Sequence, residues 1–239
     1  MKHNHDLLKT VFLSFSILLV GCAQTKTSQV QQFAPDNLKR PSRILVQDFS
    51  SDPGAIKSSS TPLAKIEDMA SGDDGKGSRA ALIKEVDGAL SDELVERLKK
   101  LGFEAIRVGS AQQAGADEIM IKGQFTNVDE GNAVRRAMIG FGAGQSSVDA
   151  KVSIVASGGQ ALVTMKAHAD SGETPGAAVT AGVGAAAQAG TAATAAVSVA
   201  KGGAKAYQSA SAHQASEIAD KVSEEFEKFA KKQGWISLK

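Results

Sequence analysis

Residues 148–167 read VDAKVSIVASGGQALVTMKA, and this stretch decides the fold. Val148, Ala150, Val152 and Ile154 alternate with Asp149, Lys151 and Ser153. Beyond Ser157-Gly158-Gly159-Gln160 the same period resumes at Ala161, Val163, Met165 and Ala167. Successive side chains of a strand point to opposite faces, so period-two alternation marks strands with one buried face. Gly-Gly between two such runs predicts a hairpin closed by a two-residue turn. An antiparallel sheet therefore lies at the heart of the chain, and the flanking sequence must cover its apolar face.

Moving toward the N-terminus, Ile119, Ile121 and Phe125 alternate with Lys122, Gln124 and Thr126, which predicts another strand. Phe103–Val108 reads as one more, entered directly from a helix. In that helix Leu82, Val86, Leu90, Leu94, Leu98 and Leu101 recur at helical spacing, and Gly102 stands where a C′ glycine belongs. Glu93 with Arg97 and Glu96 with Lys100 are i,i+4 pairs in the favourable order. Gly88, inside the helix, is either a mild defect or a point of close approach. Arg43-Ile44-Leu45-Val46-Gln47-Asp48-Phe49 opens the domain as a short apolar run, the mark of a buried strand. Residues 50–78, with Pro53, Pro62 and Gly72-Asp73-Asp74-Gly75, read as a long irregular loop holding one helical turn around Ala64 to Met69.

Toward the C-terminus a last helix is predicted from about Tyr207 to Gln233. Ile218, Val222, Phe226 and Phe229 share one face, opposite Glu217, Glu224, Lys228 and Lys232. Gly234 ends it, and Trp235-Ile236 is expected to pack back on the sheet. The expected fold is α/β of the α+β kind: a small mixed, largely antiparallel sheet of about five strands with two main helices.

The first residues have a different character. Lys2 and Lys9 precede an apolar stretch from Val11 to Val20, too short to span a bilayer, and Leu19-Val20-Gly21-Cys22 follows. This is the pattern of a secretory signal ending in a bacterial lipobox. Residues 1–21 are then removed, and Cys22, the only cysteine, becomes a lipidated N-terminus. Acylation leaves no thiol for a disulfide or a nucleophile. Ala23 follows the cysteine rather than Asp, which implies an outer-membrane lipoprotein facing the periplasm. Residues 22–42, polar and interrupted by Pro35 and Pro41, read as lipidated terminus plus flexible tether, with a single domain over 43–239. Cleavage removes Lys2, Lys9 and Asp6 from 27 basic and 26 acidic residues, leaving 25 of each. That balance gives no reason to expect nucleic-acid binding.

Val46-Gln47-Asp48-Phe49, Gly131-Asn132, Arg135-Arg136, Ile139-Gly140-Phe141-Gly142-Ala143-Gly144 and Gly234-Trp235-Ile236 together resemble a domain-of-unknown-function family numbered 4410, over about residues 43–238. The resemblance implies exported bacterial proteins, often lipoproteins, without an assigned activity, and it carries no catalytic residues over.

Few residues point to chemistry. Gly140-x-Gly142-x-Gly144 would suit a phosphate loop only between a strand and a following helix; here a strand follows, and no Lys-Ser/Thr pair is present. A tight bend at a strand entry is the better reading. Arg135 and Arg136 beside it could grip a carboxylate or phosphate, so Arg135, Arg136, Gly140, Phe141, Gly142 and Gly144 are the candidate partner-binding residues. The alternative for the arginines is a solvated loop. His168 and His213 stand alone, Glu67-Asp68 and Asp73-Asp74 lack calcium-loop spacing, and no nucleophile elbow or zinc helix occurs. No catalytic residue, metal or cofactor is therefore expected.

Residues 174–200 form a 27-residue stretch without formal charge, twelve of them Ala. Gly182, Ala186, Gly190, Thr194, Ser198 and Gly202 fall every four residues, the spacing of close helix packing in membranes. Four valines supply little insertion energy, about −0.3 to −0.6 kcal/mol each, so an Ala/Gly-rich insertion at 174–204 is the preferred reading. The expected function is that of a non-catalytic envelope lipoprotein, anchored through Cys22, whose domain binds an envelope protein or a cell-wall polymer. The alternative is a lipoprotein that self-assembles, or inserts into the membrane, through the Ala/Gly segment.

Overall fold

The computed structural model describes residues 24–57, 76–131, 144–172 and 209–237. The strands are β1 (Thr25–Gln32), β2 (Arg43–Gln47), β3 (Ser50–Ser51), β4 (Ile56–Lys57), β5 (Ala105–Val108), β6 (Glu118–Asp129), β7 (Ser147–Ala156) and β8 (Ala161–Asp170). The helices are α1 (Lys76–Lys100) and α2 (Ala210–Lys232). The sheet runs β1-β8-β7-β6-β2-β5, with β3 and β4 alongside β6. Neighbours among β1, β8, β7 and β6 are antiparallel; β2 is parallel to β5 and β6. The mixed, largely antiparallel α/β fold is the one the periodicities predict, and the five expected strands correspond to β2 and β5–β8.

Alternation does what it should in β7 and β8. Val148, Ala150, Val152 and Ile154, with Val163, Met165, Ala167 and Ala169, are buried under the helices. Helix α1 contributes Leu82, Val86, Leu90, Leu94 and Leu98, and α2 contributes Ile218, Val222, Phe226 and Phe229. On the other face Leu45, Met120 and Val155 form a small cluster against Val108 and Ala114. Both helices end in left-handed glycines, Gly102 (φ 85°) and Gly234 (φ 72°). The Phe103 and Trp235 N–H groups then reach back to the Leu98 and Ala230 carbonyls. Trp235 is buried in the core, edge-on to Phe103 and to Phe229 of α2, with no strand residue among its ring–ring contacts in the described residues, and its indole N–H donates to the Leu38 carbonyl at 2.7 Å.

Three expectations change. Residues 25–32 are not a tether but the edge strand β1, paired with β8 from Thr25–Ala169 to Gln32–Val163. Its inward threonines donate to α2: Thr25 to Glu217 at 2.8 Å and Thr27 to Glu225 at 3.2 Å. Residues 33–42 strap the domain as well. Gln233 accepts from the Leu38 N–H and donates to the Pro35 carbonyl, while Arg40 donates to the Trp235 and Gly102 carbonyls and lies 4.4 Å over the Phe103 ring. The β7–β8 turn has three residues between Ala156 and Gln160, not two, with Gly158 (φ 77°) and Gly159 (φ 81°) both left-handed. In the segment read as loop, β3 and β4 extend the parallel pairing along β6, and α1 already begins at Lys76. The turn expected at Ala64 to Met69 lies outside the described residues.

Of the two glycines inside β6 and α1, Gly123 has a steric role and Gly88 has none. A Cβ on Gly123, mid-β6, would stand 2.6 Å from both Phe49 Cδ1 and the Lys151 carbonyl oxygen, with Phe49 Cε1 closer still. The Phe49 ring lies over the bare glycine, 5.5 Å from the Phe125 ring centre. At Gly88 the nearest atom is an Arg107 nitrogen at 3.7 Å, ordinary contact, so no close backbone approach demands that glycine.

Candidate functional site

Strand direction divides the domain into two ends. The hairpin turn, Gly102 and Trp235 lie at one end. At the other, Lys57, Asp129, Ser147, Asp170 and Thr25 come level across β4, β6, β7, β8 and β1. Gln24 is tied there by two bonds: its carbonyl accepts from the Asp170 N–H at 3.0 Å, and its N–H donates to the Asp170 carboxylate at 3.3 Å. We call this the Gln24 end.

Both residues flanking the segment that carries the candidate partner-binding residues, Gly131 and Gly144, sit here. A Cβ on Gly131 (φ 70°) would be 2.5 Å from the Gly144 carbonyl oxygen and 2.6 Å from that of Gln145, so the two strand ends touch backbone to backbone. Gly144 is itself left-handed (φ 80°), three residues before β7 begins. Arg135, Arg136, Gly140, Phe141 and Gly142 lie outside the described residues, as does Cys22. Ser146 is buried behind Gly144, where its carbonyl and hydroxyl oxygens both accept from the Gln214 amide at 2.9 Å.

The start of α2 closes the same end. Ser209 caps it by accepting from the Ala212 N–H. Glu85 accepts from the Ser209 N–H at 3.2 Å and Glu130 from the Ala210 N–H at 2.9 Å, placing carboxylates where the helix dipole favours them. Burial nevertheless pushes the Glu130 carboxyl above its ordinary value, outweighing those N–H bonds. Glu130 Oε2 and Gln214 Oε1 are buried without a hydrogen-bond partner among the described residues.

His168, solitary in the sequence, bridges two carboxylates: Nδ1 to Asp149 at 2.8 Å and Nε2 to Asp170 at 3.0 Å. Burial alone would lower the imidazole pKa, but the Asp170 and Asp149 bonds outweigh it and raise it above the usual histidine value. Asp170 is held below its ordinary value, its own burial overcome by His168 and by the Gly172 and Gln24 N–H groups. Glu217 is likewise lowered, its burial offset by His213 and Thr25.

A second polar cluster, which sequence reasoning missed, lies where the parallel strands β2 and β5 end. Arg107 donates to Asp48 at 2.6 Å, Asp92 at 3.2 Å and Asp87 at 2.5 Å. Asp87 is buried and also accepts from the Phe49 N–H at 2.7 Å and the Ser91 hydroxyl at 3.1 Å. Burial pushes its carboxyl up despite those bonds and Arg107. The only hint in the sequence is Asp87 and Ser91, one turn apart, interrupting the buried side of α1. Arg107 occupies the space between the carboxylates, so the cluster clamps β2, β5 and α1 together. Among the described residues no three His, Cys, Asp or Glu side chains are placed to hold a metal ion, and no helix is long and apolar enough to cross a membrane.

A family model described as "Domain of unknown function (DUF4410)" matches residues 44–188, and the chain belongs to that family. The match runs from β2 beyond β8, so Gly234-Trp235-Ile236, part of the resemblance in sequence, falls outside it. No curated protein matches the chain. Among solved structures, a PelC dodecamer from Paraburkholderia phytofirmans is similar at 11% identity and a TM-score of 0.33, covering 65% of this chain and 89% of that one. A point variant of the same dodecamer gives 13% identity and a TM-score of 0.32, covering 67% and 88%.

Proposed function

We propose that the protein is a lipoprotein of the bacterial cell envelope, anchored by lipid on Cys22, whose folded domain binds an envelope protein or a cell-wall polymer and catalyses no reaction itself. The Leu19-Val20-Gly21-Cys22 sequence supports the anchor, and Ala23 supports an outer-membrane position facing the periplasm. The observation that carries the binding reading is the pinned pair of residues, Gly131 and Gly144, that flanks 132–143. Gly131 and Gly144 touch just beyond the paired ends of β6 and β7, so the scaffold holds both flanks of the segment bearing Arg135 and Arg136. A loop held on a rigid scaffold is where binding residues concentrate, and guanidinium groups suit carboxylate or phosphate partners.

The test is crosslinking in intact cells carrying the lipidated protein, with mass spectrometry to identify the adduct, then direct binding of the purified adduct. Replacing Arg135 and Arg136 with Ala should weaken that binding by roughly tenfold, about 1.4 kcal/mol, with the unfolding temperature unchanged. Equal binding by the variant would remove the loop from the reading. Recovery of the protein crosslinked only to itself would favour self-assembly through the Ala/Gly segment.

A further inference from the structure

We propose that the Gln24 end of the sheet is the face the domain turns to the lipid bilayer, with the domain standing on the membrane instead of hanging from a leash. This rests on lipidation of Cys22. The argument is one of chain length. Strand β1 begins at Thr25 and Gln24 is already bonded to Asp170, so two residue steps separate the lipid-bearing Cα from the folded sheet. Two steps of extended chain span at most about 7 Å. Strand β8, ten residues from Ala161 to Asp170, is roughly 30 Å long, so with the strands upright on the bilayer the hairpin turn at its other end stands about that far from the anchor while β1 stays paired.

The surface fits that position. Its carboxylates are largely paired within the domain: Asp129 lies 3.4 Å from Lys57, Asp149 and Asp170 share His168, and Glu130 and Glu85 accept from the first N–H groups of α2. Ion pairs and capped groups lose less on approaching a low-dielectric layer than free charges do. Gly131 and Gly144, and Gly172 and Ser209, lie at this same end. Residues 132–143, with Arg135 and Arg136, and residues 173–208 therefore leave and re-enter the described domain at this end.

The experiment uses the full lipidated chain in vesicles of phosphatidylethanolamine with a minor fraction of phosphatidylglycerol. Lys57→Cys and Gln160→Cys place single free thiols at the two ends, both at exposed positions, because acylation blocks Cys22. Each is labelled with a fluorophore and quenched by lipids carrying a nitroxide headgroup. Quenching several-fold stronger at position 57 than at 160 is expected. Equal quenching, or stronger quenching at 160, in protein that floats with the vesicles overturns the orientation while leaving the anchor intact. Protein that does not float overturns the anchor and the orientation with it. Should Lys57→Cys lower the unfolding temperature, Lys26→Cys on β1 probes the same end.

Discussion

Gly123→Ala should be among the most damaging single-methyl additions the domain can suffer. In β6 the new Cβ would meet Phe49 Cδ1 and the Lys151 carbonyl oxygen at 2.6 Å each. Carbon atoms in good contact stand about 3.5–4.0 Å apart, so ring and neighbouring strand must each yield by about 1 Å. Neither yields easily: the ring is only 6% exposed and rests on Phe125, and β7 pairs on both sides, with β6 and β8. Overpacking of this kind costs about 1–3 kcal/mol, and expelling the ring would forfeit part of the roughly 1.5–3 kcal/mol of its burial. The lower entropy of an unfolded alanine returns about 0.4–1 kcal/mol. The net expectation is roughly 2–4 kcal/mol of lost stability, about 5–15 °C in unfolding temperature. Urea unfolding followed by circular dichroism reads it. A double-mutant cycle with Phe49→Ala should show coupling, since removing the ring relieves one of the two clashes. Gly109→Ala is the control: nothing lies within 4 Å of its Cβ. A loss below about 0.5 kcal/mol for Gly123→Ala, or an additive cycle, would refute the reasoning.

Asp87→Ala removes the acceptor of the Phe49 N–H and Ser91 hydroxyl and one of three carboxylates on Arg107. It should cost about 3 kcal/mol in urea unfolding at neutral pH, and a loss under about 1 kcal/mol would show that the clamp contributes little. The His168 pKa is raised in the folded state, so its stabilising contribution is full below 6.5 and is lost as pH rises through the raised value. Wild type should therefore lose urea midpoint across that window and His168→Ala should not; parallel profiles would count against the Asp149–His168–Asp170 bridge. Asp170 works in the opposite sense: its contribution is present above 3.8 and is lost as pH falls through the lowered folded value. Acid unfolding should accordingly begin later in wild type than in a variant lacking the Gln24 and Gly172 N–H bonds to that carboxylate.

The elements legible in the sequence are those whose stability comes from apolar burial. The hairpin strands and both helices follow from the spacing of Val, Ile, Leu and Phe, and the helix ends from Gly102 and Gly234. Strand β1 did not, because TKTSQVQQ buries no large apolar residue: its inward threonines bond to Glu217 and Glu225, and its pairing energy lies in main-chain bonds to β8. Polar residues beside two prolines look like a tether whenever the partner helix is out of sight. The turn length is not legible for a related reason, since Gly158 and Gly159 permit several left-handed turns and only the register of Ala156 with Gln160 selects one. The Arg107 clamp gathers positions 48, 87, 92 and 107 from three elements, and no local spacing announces that meeting.

Strand polarity makes the Gln24 end what it is. Strands β4, β6 and β8 finish there and β7 begins there, since β6–β7 and β7–β8 pair antiparallel while β4 runs with β6. The β7–β8 turn must then lie opposite, and the connections from β4, β6 and β8 must all depart from the Gln24 end. Because β1 is antiparallel to β8 and docks by its first residues at Ala169, the N-terminus joins them whatever the connecting segments do. Lengthening the 132–143 or 173–208 connections would leave this arrangement unchanged, whereas inserting residues between Cys22 and Thr25 would lengthen the leash and free the domain to tilt. Two extra residues there would roughly double the reach and should weaken the contrast in lipid quenching between positions 57 and 160, without altering the unfolding temperature.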